Sequence, residues 1–250
     1  MKLKDKTVIV TGGVRDIGRA ISVKLAREGA CVVANYFDNE ADAQQTRSLI
    51  EDFGGRVIVV QGDMTRKADV ERLAEAAVKA FGPEIHGLVN VVGGLVARKS
   101  IAEMDEAFWD FLMNVNVKSC FLTTQAVAPH MVEGSAIVNF SSQAARDGGG
   151  PGASAYATAK GAVMTFTRSM AKELGPKGIR VNALAPGMIN TSFHDRFTKD
   201  EVREKVAAGT PLRREGRADE VADLVTYLLG TESSFLTGTN IDIGGGLYFS

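Results

Sequence analysis

Residues 7–20 read TVIVTGGVRDIGRA: a short β-branched run, a glycine turn, then the first residues of an amphipathic stretch. A buried strand feeding a helix through glycines is the opening unit of a dinucleotide-binding fold. The glycines let the chain turn tightly and let phosphates approach the backbone without a Cβ in the way. The N–H groups at the start of the helix then meet the negative charge. One residue in the turn is unexpected, because Asp16 brings a carboxylate towards an anionic ligand. Standing just before Ile17, Asp16 is expected to cap the helix N-terminus, a place aspartate favours.

The same alternation continues along the chain. Residues 7–11, 31–35, 56–60, 87–91, 136–140, 179–184 and 240–243 read as strands. Residues 17–28, 39–53, 67–81, 107–131, 155–174 and 218–229 read as helices. Near-continuous apolar strands suit a parallel sheet covered on both faces. The expectation is therefore α/β: a doubly wound parallel sheet in a single Rossmann-type domain over residues 1–250. The glycine cluster Gly148–Gly152 lies between a strand and a helix and reads as a loop, not a boundary.

With 250 residues, 45% apolar and 24% charged, the chain has enough material for one sizeable core. Its 29 basic and 30 acidic residues leave a formal charge of −1, which argues against nucleic-acid and membrane-surface partners. Cys31 and Cys120 each fall in an apolar stretch and read as small core residues of a reducing compartment. No apolar run reaches the roughly 18 residues of a membrane span, and the N-terminus lacks a signal-like apolar segment. A cytoplasmic protein is the expectation. His86, His130 and His194 are too scattered for a metal site.

Tyr156 and Lys160 stand four apart at the start of a predicted helix, which puts phenol and ammonium on one face. A fixed cation stabilises phenolate and brings a phenol closer to proton-transfer work at neutral pH. At the end of the second strand, Tyr36 stands where an acidic residue would repel a ribose 2′-phosphate, and Arg15 is available to face that phosphate. Asp16 and Asp38 weigh against it. The balance leans to NADP(H), with NAD(H) open.

The order of these features is more informative than any one. A glycine turn, Asn90 after the fourth strand, Asn116 in a long helix, Ser141-Ser142 after the fifth strand, then Tyr156 and Lys160 follow one another. In this order the chain resembles the short-chain dehydrogenase/reductase family from about Thr7 to Leu247. The resemblance implies an enzyme that interconverts a carbonyl and a secondary alcohol by hydride transfer. It implies Tyr156 as acid/base, Ser142 (with Ser141 as competitor) on the substrate oxygen, Lys160 on the nicotinamide ribose and Asn116 holding a relay water. Ser142 and Tyr156 are fourteen positions apart, so the loop between them carries one residue more than usual. The family's glycine pattern is met by Gly12 and Gly18, with Asp16 in place of the middle glycine.

By the same resemblance the cofactor would meet Thr11, Gly12, Arg15, Asp16, Ile17 and Gly18 in the turn, and Tyr36 beyond it. Asp63 and Met64 would lie beside the adenine, Asn90 and Gly93 near the adenosine ribose. Pro186, Gly187, Ile189 and Thr191 would pass the nicotinamide and phosphates. Val91 and Val92 depart from the family's Asn-Asn-Ala-Gly stretch. Chains of this kind are commonly homotetramers. The variable loops carry Arg98, Gln143, Arg146 and His194, a polar set that suggests a small polar keto or sugar-acid substrate. Their wording also resembles reductases of keto-sugar acids, and the alternative is a 3-oxoacyl thioester reductase of the 3-oxoacyl-carrier-protein type. A nucleotide-sensing regulator without catalysis is the remote alternative, since it would be expected to have lost the Tyr–Lys pair.

Overall fold

The computed structural model describes residues 1–192 and 198–248. Seven strands form one parallel sheet in the order β3-β2-β1-β4-β5-β6-β7. They are β1 (Thr7–Thr11), β2 (Cys31–Tyr36), β3 (Arg56–Gln61), β4 (Ile85–Asn90), β5 (Met131–Phe140), β6 (Arg180–Pro186) and β7 (Asn240–Ile243). The strand order reverses between β1 and β4, and there the C-terminal strand ends diverge into a crevice. This is the doubly wound sheet expected from the sequence.

Alternation within β1 explains the layering. Val8 and Val10 enter one apolar cluster with Ile21 and Leu25 of α1 (Asp16–Arg27) and Val221, Val225 and Leu228 of a late helix, Ala218–Leu229. Ile9 enters the other, with Leu73 of α3 (Lys67–Phe81) and Leu122 and Leu174. Every residue of β1 is buried, as a central strand between two helical layers must be. Helix α2 (Glu40–Glu51) packs on the first layer and is capped by Asn39, whose side chain accepts from the Asp42 N–H. Among the described residues, no helix is long and apolar enough to cross a membrane.

The expected long helix over 107–131 is instead broken. It consists of α4 (Glu106–Met113), a π turn (Asn114–Lys118) and α5 (Ser119–Val127), and β5 already begins at Met131. The cause is Asn116, whose amide donates to the Leu112 carbonyl one turn back at 2.9 Å. A side chain inserted into the ladder widens the helix at that point. Two further helices fall where loops were expected: α6 (Ala144–Asp147) and α8 (Asp200–Gly209), on either side of α7 (Ser154–Leu174); the helix Ala218–Leu229 is then α9.

Beneath the crevice, a polar network runs through the core. Asn90 and Asn139 sit side by side on β4 and β5, and Asn90 donates to Asn139 at 2.9 Å. Thr123 of α5 donates to Asn90 at 2.6 Å, and Asn139 donates to Thr167 of α7 at 2.9 Å. Asn90, expected at the adenosine ribose, is thus turned inward, because its amide finds all its partners in the core. Two helices are fastened to two strands by these bonds. Asn139→Ala would take from Asn90 its 2.9 Å acceptor and from Thr167 its donor, in a fully buried place. Urea unfolding is expected to show a loss of about 2–4 kcal/mol, against less than about 0.5 kcal/mol for the exposed Asp52→Ala.

Candidate active site

A cleft of about 810 Å³ lies over the C-terminal strand ends and runs from Tyr36 and Asp63 to Tyr156, Lys160 and Leu247. At its β1–β2 end, the glycine turn leaves no room for side chains. A Cβ on Gly18 would lie 2.0 Å from the Gly12 carbonyl oxygen, so the helix packs directly on the turn. Asn35, in the otherwise apolar strand CVVANY, holds this turn in place. Its side-chain oxygen accepts from the Gly12 N–H at 3.2 Å, its backbone oxygen from the Gly13 N–H at 2.9 Å, and its amide donates to the Gly62 carbonyl at 3.0 Å. Sequence reading passed over Asn35, although an asparagine in the middle of an apolar strand was the available signal.

Thr11 does not line the cleft. Its hydroxyl accepts from the Val91 and Val92 N–H groups at 3.1 and 3.2 Å, which fastens β1 to the chain leaving β4. It shapes the wall instead of facing a ligand. Arg15, Ile17, Tyr36 and Met64 do line it, together with Asp63. One oxygen of Asp63 is held by the Thr65 N–H and hydroxyl at 2.9 and 2.7 Å. Arg15 is exposed, and so is Asp38.

Asp16 is not the helix cap. The capping position belongs to Arg15, whose side chain makes no capping bond. Asp16 itself takes φ +48°, a left-handed conformation that glycine enters freely and aspartate at modest cost. Such a φ explains why glycine is the family's residue there. It also aims the carboxylate away from the helix and across the cleft, onto the Ser192 N–H at 3.0 Å and hydroxyl at 2.6 Å.

At the other end, β5 and α7 bring the polar groups together. Ser141 donates to the Lys160 carbonyl at 3.0 Å and is buried in that role. Its neighbour Ser142 reaches the cleft, accepts from the Ala144 N–H at 3.2 Å, and faces the same cleft as Tyr156. Lys160 is buried, donates to the Phe140 carbonyl at 2.8 Å and lies 5.8 Å from the Tyr156 ring centre. Burial pulls its ammonium down to about 8. The Tyr156 phenol is raised above its ordinary value by burial, and the Ser142 hydroxyl opposes this. The expected lowering of the phenol by Lys160 is therefore not seen in this state, where desolvation is the largest influence.

Asn116 is buried and both N–H groups of its side chain are engaged. It accepts from the Gly94 N–H at 2.9 Å and donates to the Gly94 and Leu112 carbonyls at 3.0 and 2.9 Å. Gly93 is wedged beside it, since a Cβ there would fall 2.6 Å from Asn116 Oδ1 and 2.8 Å from Lys160 Nζ. Pro186, Gly187, Ile189 and Thr191 form the opposite wall.

The substrate end is less polar than its loops suggested. Arg98 and Gln143 line it, with Arg98 donating to the Pro151 carbonyl at 3.0 Å. Arg146, expected beside them, turns away to pair with Asp242 at 3.1 Å and the Asn240 carbonyl at 3.0 Å, because those acceptors on β7 lie within its reach. His194 lies outside the described residues. Phe111, Val115, Met188, Val202, Val206 and Leu247 complete the wall. Of these, Val202 and Val206 come from α8, which was read as loop. Among the described residues no cluster of His, Cys, Asp and Glu is arranged to hold a metal ion.

Comparison with known proteins agrees with this geometry. Residues 12–248 match a family model described as enoyl-(acyl carrier protein) reductase. A 3-oxoacyl-[acyl-carrier-protein] reductase of Thermotoga maritima is 35% identical over 249 residues, covering 99% of both chains. An NADPH-dependent aldehyde reductase-like chloroplastic protein of Arabidopsis thaliana is 36% identical over 98% of this chain and 95% of its own. Among solved structures, a short-chain dehydrogenase of Burkholderia cenocepacia in complex with NADP superposes with a TM-score of 0.92 at 33% identity, covering 99% of each chain. Fold, cleft and similarity along the whole chain lead to one conclusion: this chain is an oxidoreductase that belongs to the short-chain dehydrogenase/reductase family.

Proposed function

We propose that this protein is an NADP(H)-dependent reductase that turns a ketone into a secondary alcohol, with Tyr156 as the acid. The observation that carries the reading is the meeting of a half-buried phenol, a serine hydroxyl and a buried ammonium at one end of a cleft whose other end is a glycine turn. The turn's close packing at Gly12 and the N–H groups of Ile17 and Gly18, which lack intrahelical partners in the first turn of α1, fit a diphosphate. Tyr36, Asp63 and Met64 would hold the adenosine, and Ile189 and Thr191 the nicotinamide side. When bound, the nicotinamide supplies hydride to the substrate carbon.

Everything else falls to the chain's own groups. Ser142 and Tyr156 would both donate to the substrate oxygen and orient it. Because burial keeps Tyr156 protonated at neutral pH, the phenol is ready to give its proton as negative charge develops on that oxygen. Lys160, close to the Tyr156 ring, would then stabilise the phenolate. Asn116, with its side chain committed to Gly94, would act by holding the Gly93–Gly94 wall against Lys160. Any relay water there would use the remaining acceptor capacity of its oxygens. Preference for NADP(H) over NAD(H) is supported by exposed Arg15 beside Tyr36, and by the cofactors named for the Arabidopsis and Burkholderia relatives. Exposed Phe121, Leu212 and Phe235 support assembly into a homotetramer, and a cytoplasmic setting fits two free buried cysteines.

For the substrate, Arg98, Gln143 and Asp147 favour a small keto acid or keto-sugar acid whose anionic group meets Arg98. A second reading, a 3-oxoacyl thioester, is favoured by the apolar wall of Phe111, Val202, Val206 and Leu247. Steady-state rates with NADPH and NADH against keto-uronates, simple sugars and acetoacetyl thioesters decide between them. Arg98→Ala is expected to raise KM roughly tenfold or more for the carboxylate-bearing substrate and to leave neutral ketones nearly unchanged. Turnover of the thioester alone would sink the polar reading.

Tyr156→Phe is expected to lower kcat by roughly 10²–10⁴-fold while cofactor affinity, read by fluorescence titration, changes little. A near-wild-type rate would refute the acid role. The pH profile gives an independent check. Lys160 has a lowered value near 8, so its positive charge is present below that pH and lost above it. Since kcat/KM for the cofactor reports the free enzyme, it should fall on the alkaline side from about pH 8. A profile flat to pH 10 would show that this charge is not needed.

A further inference from the structure

We infer that Asp16 and Ser192 form a latch across the cleft that sets how fast the nicotinamide cofactor exchanges. The inference rests on the cofactor reading above and adds a residue pair for which catalysis has no use. Asp16 stands on the β1 side of the cleft, in the first turn of α1. Ser192 stands on the β6 side, 176 positions later in the chain. Both carboxylate oxygens are used, one on the Ser192 N–H at 3.0 Å and the other on its hydroxyl at 2.6 Å. Hydrogen bonds to a charged acceptor are the stronger kind.

Each end of the bridge is anchored. Arg15 and Gly18 hold Asp16 between a capping residue and a glycine packed on the Gly12 carbonyl. On the other wall, Asn190 donates its N–H to the Gly216 carbonyl at 2.9 Å, and Gly216 donates back to Met188 at 2.9 Å. Arg203 of α8 donates to the Asn190 side chain at 2.9 Å. Ser192 lies two residues beyond this anchor, so the bridge can open while Asn190 stays in place.

The position gives the bridge its consequence. Tyr36 and Asp63 lie at one end of the cleft and Tyr156 and Lys160 at the other. A dinucleotide that reaches both must pass the line from Asp16 to Ser192. Entry and exit then require two hydrogen bonds to break. Asp16 also holds φ +48°, where glycine would sit without strain. That strain is sustained by the contact it permits. With both oxygens turned to Ser192, the carboxylate faces the opposite wall and not the ribose 2′ site beside Arg15 and Tyr36. The latch should therefore act alike on NADPH and NADH.

Stopped-flow measurement of cofactor release from the intact protein tests this. Asp16→Gly is expected to speed dissociation of NADPH and of NADH by the same factor, roughly tenfold or more, as loss of charge-assisted bonds implies. Ser192→Ala, which removes the hydroxyl but keeps the N–H, is expected to give a smaller acceleration. The double variant should release no faster than Asp16→Gly, because both changes break one interaction. Unchanged release in Asp16→Gly, or effects of the two single changes that simply add, would overturn the latch. An effect confined to NADPH would overturn it too, in favour of charge repulsion at the 2′ site. If the wild-type protein binds neither nucleotide, the cofactor reading itself fails, and the latch with it.

Discussion

The side chain of Asn116 bonds both backbone groups of Gly94, and much of the site depends on that pairing. The same amide reaches back to Leu112, so one residue opens the π turn and fixes the segment leaving β4. Between them Gly93 is held where a methyl group would strike both Asn116 and Lys160. A buried ammonium is expensive to hold in place, and here it is confined by a carbonyl on one side and a glycine on the other. The sheet beneath repeats the device, with Asn90 and Asn139 binding α5 and α7 through hydroxyls. Polar side chains facing inward thus decide the position of groups that face outward.

Much of the architecture could be read in advance because it follows from periodicity. Strands such as TVIVT and CVVANY alternate with helical stretches, and glycines mark the joints, so the doubly wound parallel sheet was legible, while its strand order came from the structure. The meeting of Ser142, Tyr156 and Lys160 in one cleft was legible for a different reason: they stand in the expected order on elements that end at the same edge. What stayed hidden was the direction of side chains with several possible partners. Asn90, Thr11 and Arg146 are all polar and all close to the crevice in sequence terms. Each found its partners elsewhere: Asn90 on Asn139, Thr11 on the Val91 and Val92 N–H groups that donate to it, and Arg146 on β7. No local pattern distinguishes these outcomes, since the partners lie far along the chain. The helices at 144–147 and 200–209 were hidden too, in segments whose charge and glycine content resemble loops.

The two halves of the cleft are built by different rules. Near Gly12 and Gly18 the backbone does the work, and the residues that support it, such as Asn35, lie underneath. Near Tyr156 the side chains do the work, and burial sets their proton affinities in opposite directions: up for the phenol, down for the ammonium. Burial moves both towards their neutral forms, yet at neutral pH the phenol still holds its proton and the ammonium, at about 8, still holds its charge. Cys120 lies beneath the same floor with its thiol pushed up to about 12. It is inert as a nucleophile there and serves as packing.

The central position of β1 also has a consequence for how the chain assembles. The first strand made pairs with residues 31–34 on one side but with 87–90 on the other. During synthesis β2 and β3 can join it in turn, while its second edge stays open until β4 emerges. The hydroxyl of Thr11 meets the Val91 and Val92 amides only then. A nascent chain shorter than about 92 residues therefore has its glycine turn but lacks the wall opposite. From β4 onward each new strand adds to the edge just completed, so the remaining sheet grows in one direction. The nucleotide cleft is thus set by the moment when growth changes sides.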